Sequence, residues 1–425
     1  MKRLLSSLLC GVLLITSLTG CSSSNTDEKS VNSTSTVEES SVSSEDSKDN
    51  AAIKIWHDGD EAIMATIADR VNEELKADHI TVSFEKKSGL TDQIKLYGND
   101  EANGPDMYMY AHDSLGTFVE MGVLAPITDV IGEETMADML PMTMEACTYK
   151  DSQYLLPIYF ETLLFMYNKD LWKGEIPTTT DALYDYMAAN TDTAAGTYAV
   201  VNQHSTAYNV APVINGFGGY IINSDAEPGL NVQATKDAIL YNQKFAKLQA
   251  DGDYNTITTL FKEGKAASII GGPWLISGIT ETGIHLGFRS LSEFKLPNGN
   301  ALAPYSGVQG VGVMKHAVEA KKEAIAKVLE VMAGADLGID LAKKSNCAPA
   351  NAKSYEDADV TANEMIAAMK VTADTAQPMP NIPQMSVMWG PTESLLAAVN
   401  KSGENIDNAS EQYQEEALTA ISDMQ

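Results

Sequence analysis

The chain has 425 residues, of which 58 are acidic and 29 are basic, so its formal net charge at pH 7 is −29. So large an excess of negative charge argues against nucleic acid, phosphate-rich ligands and anionic membrane surfaces as partners. It is compatible with an uncharged ligand, and the stretch from Ala51 onward is long enough for two domains.

The first twenty residues have the pattern of a secretory signal peptide. A basic start from Met1 to Arg3 is followed by an apolar run from Leu4 to Leu18, which is shorter than the roughly 20 residues of a spanning helix. The run ends in LTGC, which resembles a bacterial lipobox. The resemblance implies cleavage before Cys21 and a lipid on its sulfur; the alternative is an ordinary signal peptide with a chance cysteine.

Residues 21–50 follow as a segment rich in serine and acidic side chains, without an aromatic residue. Such a composition buries too little apolar surface to offset the entropy of ordering, so we predict a disordered tether. Together with a lipid on Cys21, the tether predicts a body at the extracellular face of the cytoplasmic membrane. The lipid is its expected means of membrane attachment.

The body begins with alternating strand and helix patterns. A short buried strand ending at Trp56 precedes the turn HDGD, and a helical stripe follows with apolar residues at every fourth position: Ile63, Ile67, Val71 and Leu75. A strand at ITVSFEKK follows, and GPDMYMYAHDSLGTFVEMG then gives a turn, a further strand and a helix that opens near Ser114. This alternation predicts a parallel α/β sheet with helices on its faces. The passage YLLPIYFETLLFMYNKDLW is then a long extended segment.

A second set of elements follows Trp172. Helix patterns begin at TTTDALYDYM and at TKDAILYNQKF, strands precede GGPW and include GVQGVGVMK, and the chain closes with helical segments around 363–375, 391–400 and 410–424. No Pro/Ser-rich linker separates the two sets. We therefore expect two lobes that share several chain crossings, with a ligand cleft between them.

The body lacks the sequence motifs of the common enzyme classes. It has no GxSxG, no P-loop, no HExxH and no GxGxxG at the start of a helix, and its histidines lack metal-ligand spacing. The body cysteines, Cys147 and Cys347, either form one disulfide or remain separate packed thiols. We expect no catalytic residues, no metal and no cofactor.

Carboxylates occur instead beside aromatic residues. Asp60, Asp113 and Glu161 lie in the segments IWHDGD, YAHDS and IYFETLLF. Two tryptophans lie beside Gly-Pro: Trp274 follows it in GGPW, and Trp389 precedes it in MWGP. This mixture suits a sugar, whose C–H faces pack on rings and whose hydroxyls donate to carboxylates in charge-assisted hydrogen bonds. Two other classes remain open. A glycoside hydrolase would need two carboxyl groups roughly 5–10 Å apart, and a surface adhesin would explain the tether alone.

Four segments resemble, in order, segments of the bacterial maltose/maltodextrin-binding proteins, the solute receptors of ATP-binding-cassette (ABC) sugar importers. They are GPDMYMYAHDSLG, LPIYFETLLFMYNKDLW, GGPW and PMPNIPQMSVMW, of which MPNIPQMS is the most specific. The resemblance runs from about Ile53 to the last helices. It implies a two-lobe, periplasmic-binding-protein-like α/β fold, with an N-lobe of residues 51–160 plus about 311–347 and a C-lobe of 161–310 plus about 348–425.

The resemblance also implies function and site residues. The expected protein is a monomeric receptor, not an enzyme, that captures malto-oligosaccharides by lobe closure and delivers them to the membrane subunits of an ABC permease. The implied ligand-binding residues come from both lobes: Asp60, Glu61, Tyr110, Asp113, Glu161, Tyr208, Trp274 and Trp389. For Asp60 and Asp113, a helix-capping role is the alternative. Trp56 and Trp172 are expected in the core.

The chain departs from the family pattern at several of these places. Glu61 replaces a lysine, Ser114 a basic residue, Gly390 a tyrosine and Glu393 an arginine. Fewer charged donors favour malto-oligosaccharides longer than the disaccharide, with cyclodextrin and galacto- or xylo-oligosaccharides as alternatives. The prolines of PMPNIPQMSVMWGP predict an extended lead-in that holds Trp389 just ahead of a helix starting at Pro391.

Overall fold

The computed structural model describes residues 50–424, which belong to one compact unit. The predicted signal peptide, the lipidated Cys21 and the tether as far as residue 49 lie outside the described residues and stay predictions. None of the helices in the described range combines the length and apolarity needed to cross a bilayer.

The α-helices have the following bounds: α1 (Glu61–Glu74), α2 (Leu90–Tyr97), α3 (Leu115–Glu120), α4 (Pro141–Ala146), α5 (Thr180–Asn190), α6 (Ala207–Gly216), α7 (Gln233–Phe245), α8 (Tyr254–Lys262), α9 (Ile276–Thr280), α10 (Lys315–Ala333), α11 (Ala335–Ser345), α12 (Ala358–Ala362), α13 (Glu364–Thr372), α14 (Trp389–Ala397) and α15 (Ile406–Ser422). Single π-helical turns extend two of them, at Ala246–Ala250 after α7 and at Ala398–Ser402 after α14.

The strands have the following bounds: β1 (Ala51–His57), β2 (Ile80–Lys86), β3 (Met107–Ala111), β4 (Leu124–Ala125), β5 (Thr148–Tyr149), β6 (Ser152–Gln153), β7 (Leu155–Thr162), β8 (Leu164–Asn168), β9 (Tyr198–Val201), β10 (Ala266–Gly271), β11 (Leu286–Ser290), β12 (Tyr305–Met314), β13 (Ala348–Pro349) and β14 (Gln377–Pro378). In the described part of the chain they form an eight-stranded large sheet in the order β13-β7-β12-β3-β1-β2, with β4 and β14 also on β12, a four-stranded small sheet in the order β11-β8-β10-β9, and the β5-β6 pair.

The prediction of a parallel sheet is wrong in part, because the large sheet is mixed. β1 pairs in parallel with β2 and β3, whereas β12 runs antiparallel to β3 and β7. The parallel part is built by consecutive strand–helix–strand units. β12 instead returns to the sheet after the excursion through the small sheet, so no single crossover helix dictates its direction.

The glycines of GVQGVG serve close packing inside strand β12. A Cβ atom at Gly312 would lie 2.4 Å from Cε1 of Tyr108, and one at Gly310 would lie 3.0 Å from Cβ of Leu155. Contacts that short exclude a side chain at Gly312. The glycines of GVQGVG therefore reflect the close approach of β3 and β7 to β12.

The cores confirm the expectation for two of the tryptophans. Trp56 is 3% exposed beneath the large sheet, and Trp172 is 8% exposed, stacked on Tyr186 with ring centroids 4.3 Å apart. A further apolar cluster joins α6, α7, α14 and α15. Cys147 and Cys347 are both buried free thiols, so the alternative of separate packed thiols is confirmed.

The chain passes between the two sheets at adjacent strands. Leu163 alone separates β7 of the large sheet from β8 of the small sheet. β12 enters the large sheet at Tyr305, and its Ser306 pairs with Thr162 of β7 on one side and with Pro378 of β14 on the other. The passes therefore lie side by side and are hydrogen-bonded to one another; we call these three strand ends the hinge ribbon.

Candidate functional site

Several acidic residues, most of them predicted from the sequence, gather at one edge of the large sheet. Asp58 and Asp60 follow the carboxyl end of β1, and Asp113 follows the carboxyl end of its parallel neighbour β3. Ligands of open α/β sheets bind in the crevice outside these strand ends. The same edge continues into β7, whose carboxyl-terminal end carries Glu161.

Asp60 is the N-cap of α1, as the capping alternative predicted. Its Oδ1 accepts hydrogen bonds from the backbone N–H groups of Ala62 at 2.8 Å and Ile63 at 3.2 Å. Capping uses one carboxylate oxygen and leaves the side chain exposed, so a second role remains open. Glu61, in the first turn of α1, is also exposed and pairs with Lys86 at 3.6 Å.

Asp113 is not a helix cap. Ser114 holds the N-cap position of α3, and its hydroxyl donates to the carbonyl of Ala111 at 2.9 Å. Within residues 50–424, the carboxylate of Asp113 accepts no hydrogen bond. The capping alternative for this residue is therefore wrong, and its carboxylate is available to a ligand.

The loop that carries Asp113 is fixed by the buried imidazole next to it. Nδ1 of His112 accepts from the N–H of Val308 at 3.0 Å, so Nε2 carries the proton and donates to the carbonyl of Met379 at 2.8 Å. Burial lowers the pKa of His112, which keeps the ring neutral near pH 7. This ring ties β12 and the lead-in to Trp389 to the loop of Asp113.

Glu161 occupies the most unusual setting of the predicted carboxylates. Its strand partner is Gly307 of β12, and a Cβ atom at Gly307 would meet no atom within 4 Å. The side chain is partly buried and accepts no hydrogen bond from the described residues. Burial raises its pKa. A carboxylate kept without a partner beside open space is costly, which is typical of a ligand contact.

Tyr208 brings the two sides of the site together. It lies in the first turn of α6, and burial, followed by the nearby carboxylates of Glu161 and Asp113, raises the pKa of its phenol. Its ring centroid is 6.2 Å from that of Trp274. A tyrosine of the small-sheet side is thus close both to acidic residues of the large sheet and to a predicted stacking ring.

Tyr110 lies among the carboxylates of the large sheet. Burial raises the pKa of its phenol, and the charges of Asp58 and Asp113 raise it further. Sequence reasoning missed Asp58, since HDGD was taken simply as a turn. The position of Asp58 directly after a parallel strand was the available signal.

Trp274 projects from the turn after β10 and is 43% exposed. Its indole lies over Gly272, where a Cβ atom would come within 2.1 Å of Cζ3. The turn Gly-Gly-Pro-Trp therefore folds the ring back onto a glycine, and the ring position depends on the missing side chain. So exposed a tryptophan contributes little to the core.

Trp389 begins α14 rather than preceding it, because the helix starts there and not at Pro391. The lead-in is extended only as far as Ile382, and a 3₁₀ helix at Pro383–Val387 follows. The indole is partly buried against the cluster of α6 and α14. One turn later, Glu393 accepts from the N–H of Ala207 at 3.4 Å, so α14 packs against the first turn of α6, the turn that also carries Tyr208.

The site thus combines unpaired carboxylates with partly exposed rings. In the range 50–424, no three His, Cys, Asp or Glu side chains come together as a metal site. Of the eight predicted residues, Tyr110, Asp113, Glu161, Tyr208 and Trp274 are joined by contacts or by mutual electrostatic effects. The phenol of Tyr159 has a raised pKa, mainly because it is buried and secondly because of Cys347. The charges of Glu161 and Asp60 raise it further, so Asp60 lies near the same group.

Comparison with known proteins identifies the family. The model of the bacterial extracellular solute-binding proteins matches residues 66–368. The chain belongs to this family. As such it is a solute-binding protein and not an enzyme, so the glycoside hydrolase alternative is set aside.

Two oligosaccharide-binding proteins are among the relatives of known function that are similar to this chain. A maltotriose-binding protein of Pyrococcus abyssi is 28% identical over 347 residues, which cover 80% of this chain and 75% of that protein. A galactooligosaccharide-binding protein of Bacillus subtilis is 28% identical over 313 residues, covering 70% and 72%.

A solved structure establishes the fold of this solute-binding protein. The crystal structure of a cyclo/maltodextrin-binding protein complexed with maltotetraose superposes with a TM-score of 0.79 at 23% identity, covering 88% of this chain and 97% of that one. The predicted two-lobe, periplasmic-binding-protein-like α/β fold is confirmed. The large and small sheets are the centres of its two lobes.

Proposed function

We propose that this protein is a cell-surface receptor that binds malto-oligosaccharides of three or more glucose units and delivers them to an ABC permease. One observation carries the proposal: Tyr208 of the small-sheet lobe lies within the electrostatic reach of Glu161 and Asp113 of the large-sheet lobe. The carboxylates of Glu161 and Asp113, which accept no hydrogen bond from the described residues, thus lie near the ring of Tyr208 in the other lobe. A neutral sugar satisfies both, since its hydroxyls donate to carboxylates and its C–H faces pack on rings.

Binding acts by closure of the lobes. Asp60, Asp113 and Glu161 move with the large sheet, whereas Trp274 and Trp389 move with the small-sheet lobe and its helices. A sugar that touches both sets binds the closed form better than the open one, and this difference in affinity drives closure. The closed shape is the form that the permease recognises. We propose the domain limits given by the sequence, with the N-lobe extended to Thr162, to the start of β12 at Tyr305 and to β13, because these strands pair in the large sheet.

A thermal-unfolding screen against sugars of different length and type tests the proposal. Thermal unfolding of residues 50–425 is followed with equal concentrations of maltose, maltotriose, maltotetraose, β-cyclodextrin and galacto- and xylo-oligosaccharides. A ligand that binds the native state raises the melting temperature by mass action. The largest shift is expected with linear malto-oligosaccharides of three units or more. A larger shift with a galacto- or xylo-oligosaccharide contradicts the sugar class, and release of product during incubation contradicts a receptor.

The position of Trp274 offers a second test. Gly272→Ala leaves the backbone undisturbed, because φ −110° and ψ −178° are open to alanine, but its methyl group displaces the indole of Trp274. Loss of one well-placed ring contact is expected to weaken maltotriose binding by about 2-fold to 10-fold. Isothermal titration calorimetry gives the affinity.

Gly390→Ala is the matched control for that variant. Gly390 adjoins the other tryptophan, Trp389, and a Cβ atom there would meet nothing within 4 Å. The same chemical change is therefore expected to leave the affinity as in wild type. Equal effects of the two variants would mean that the ring over Gly272 has no part in binding.

The proposed attachment is a lipid on Cys21, with residues 22–50 as a tether and a monomeric body. The extracellular solute-binding family supports the outer location. Mass spectrometry of the protein extracted from membranes tests the anchor. A diacylglyceryl-modified N-terminal cysteine is expected, and a free N-terminus at another residue contradicts it.

A further inference from the structure

Gln309 lies in the middle of the large sheet without a polar partner. It pairs through its backbone with Tyr159 of β7 on one side and with Ala111 of β3 on the other. Its side chain is partly buried. Within the described residues, the side-chain amide neither donates nor accepts a hydrogen bond. A polar group with three or more hydrogen-bonding sites is therefore left unused at a central strand position.

The side chain of Gln309 shares a face of the sheet with Glu161. Directly paired residues of neighbouring strands lie on one face, as do alternate residues along a strand. Gln309 is two residues from Gly307, and Gly307 is the partner of Glu161. Because Gly307 leaves open space above it, the amide of Gln309 borders the same space as the carboxylate.

The local backbone also singles out this position. The register between β12 and β7 shifts between Gln309 and Gly310, since Tyr159 opposes the first and Pro157 the second. Proline lacks the N–H that a regular ladder would use at this point, so Ile158 is left over as a bulge. Bulges of this kind occur next to binding sites, where they redirect a side chain.

The chemistry of the other site residues leaves a role for an amide donor. Asp60, Asp113 and Glu161, when ionised, only accept hydrogen bonds. A sugar hydroxyl that donates its proton to a carboxylate still has lone pairs that need a donor. Lysine and arginine would supply one, but neither is among the eight predicted ligand-binding residues. An uncharged amide supplies two N–H donors at the floor of the site.

We propose that Gln309 is a ligand-binding residue that donates a hydrogen bond to a hydroxyl oxygen of the sugar unit held by Glu161. This inference rests on the proposed function and adds a residue to its site. The amide of Gln309 therefore favours a sugar unit that carries a hydroxyl group at the position next to Gly307 over a unit that lacks this hydroxyl.

The test uses Gln309→Ala and Gln309→Glu in the body, residues 50–425. Affinity for maltotriose is measured by calorimetry, and unfolding is measured without sugar. Gln309→Ala is expected to bind about tenfold more weakly but to unfold at the wild-type temperature, because the amide has no partner to lose in the ligand-free protein. Gln309→Glu keeps the shape and the acceptors but has no donor, so it is expected to lose at least as much affinity.

Gln414→Ala is the matched control. This partly buried glutamine of α15 accepts from the N–H of Leu230 at 2.9 Å and donates to the carbonyl of Pro228 at 2.6 Å. It is expected to show the opposite pattern, with a lower unfolding temperature and unchanged affinity. The two glutamines thus separate a structural role from a ligand role.

Wild-type affinity in Gln309→Ala or in Gln309→Glu would overturn the inference. So would a lower ligand-free unfolding temperature in Gln309→Ala without a loss of affinity, as this is the result of a structural residue. Failure of the proposed function is seen separately, in the titrations of the wild-type protein. If another oligosaccharide binds instead of maltotriose, the same variants are titrated with that sugar and the same outcomes decide.

Discussion

Trp389→Ala is expected to weaken maltotriose binding by at least 30-fold, about 2 kcal/mol, which is the loss typical of a hot-spot aromatic residue. The indole stands at the first position of α14, beside the turn of α6 that carries Tyr208, and is only partly covered by the helical cluster. In the proposed site, truncation therefore removes the face on which a sugar ring would pack. Calorimetry with maltotriose and longer chains measures the loss.

The matched variant for this prediction is Trp389→Phe. It keeps a flat ring on the same backbone, so it should retain part of the affinity that alanine loses. Ligand-free unfolding of both variants should show a native fold, with a modest loss of stability from the buried part of the indole. Unchanged affinity of Trp389→Ala for maltotriose and for longer chains would remove Trp389 from the site.

Glu161→Gln is expected to lower affinity and to raise the stability of the ligand-free protein. The carboxylate has no hydrogen-bond partner among the described residues, and burial raises its pKa above the ordinary value of 4.5. In the proposed complex, a sugar hydroxyl would give it the missing hydrogen bond. Hydrogen bonds to a charged group contribute about 1.5–3 kcal/mol, so the neutral amide should bind roughly 10-fold to 150-fold more weakly.

The stability effect of this variant depends on pH with a definite sign. Because the pKa of Glu161 is higher in the folded than in the unfolded state, folding carries no penalty from this group below the unfolded value. The destabilisation builds up as pH rises above the unfolded-state pKa and is complete once pH has passed the folded-state pKa. The difference in melting temperature between Glu161→Gln and wild type should therefore be small near about pH 4 and grow towards about pH 7.

Glu415→Gln controls for the change in net charge. Glu415 is exposed on α15, so the variant removes one negative charge without altering the site. It should leave affinity unchanged and should not reproduce the stabilisation. A Glu161→Gln protein that is less stable than wild type at neutral pH, with unchanged affinity, would show that the carboxylate has a structural partner instead of a ligand.

Much of the fold was predictable because apolar periodicity and strand–helix alternation are local signals. Helix α1 and strands β7 and β8 lie where their patterns predicted them, and the cap at Asp60 follows from one residue next to a helical stripe. The direction of β12 was not predictable. It depends on where the chain re-enters the sheet after more than a hundred residues, and no local pattern records that.

The site shows the same division between local and distant signals. Tryptophans beside Gly-Pro and carboxylates beside aromatic residues were visible in the sequence, so the candidates could be named. Gln309 could not, because its significance arises from neighbours on other strands. Asp58 was overlooked although its place directly after a parallel strand was a signal. The capping alternative for Asp113 also needed the structure, since Ser114 is one residue away and equally suited to cap α3.

The hinge ribbon limits how the molecule can move. Three independent linkers would let one lobe twist, slide or tilt over the other. Here Ser306 pairs with both Thr162 and Pro378, and the hydroxyl of Thr162 donates to the carbonyl of Tyr305 at 2.9 Å. Sliding one pass along another would break this ladder, whereas flexing the ribbon across its face keeps it. The structure therefore leaves one soft degree of freedom, so that opening and closing retrace a single arc and the binding groups of the two lobes meet in the same alignment at every cycle.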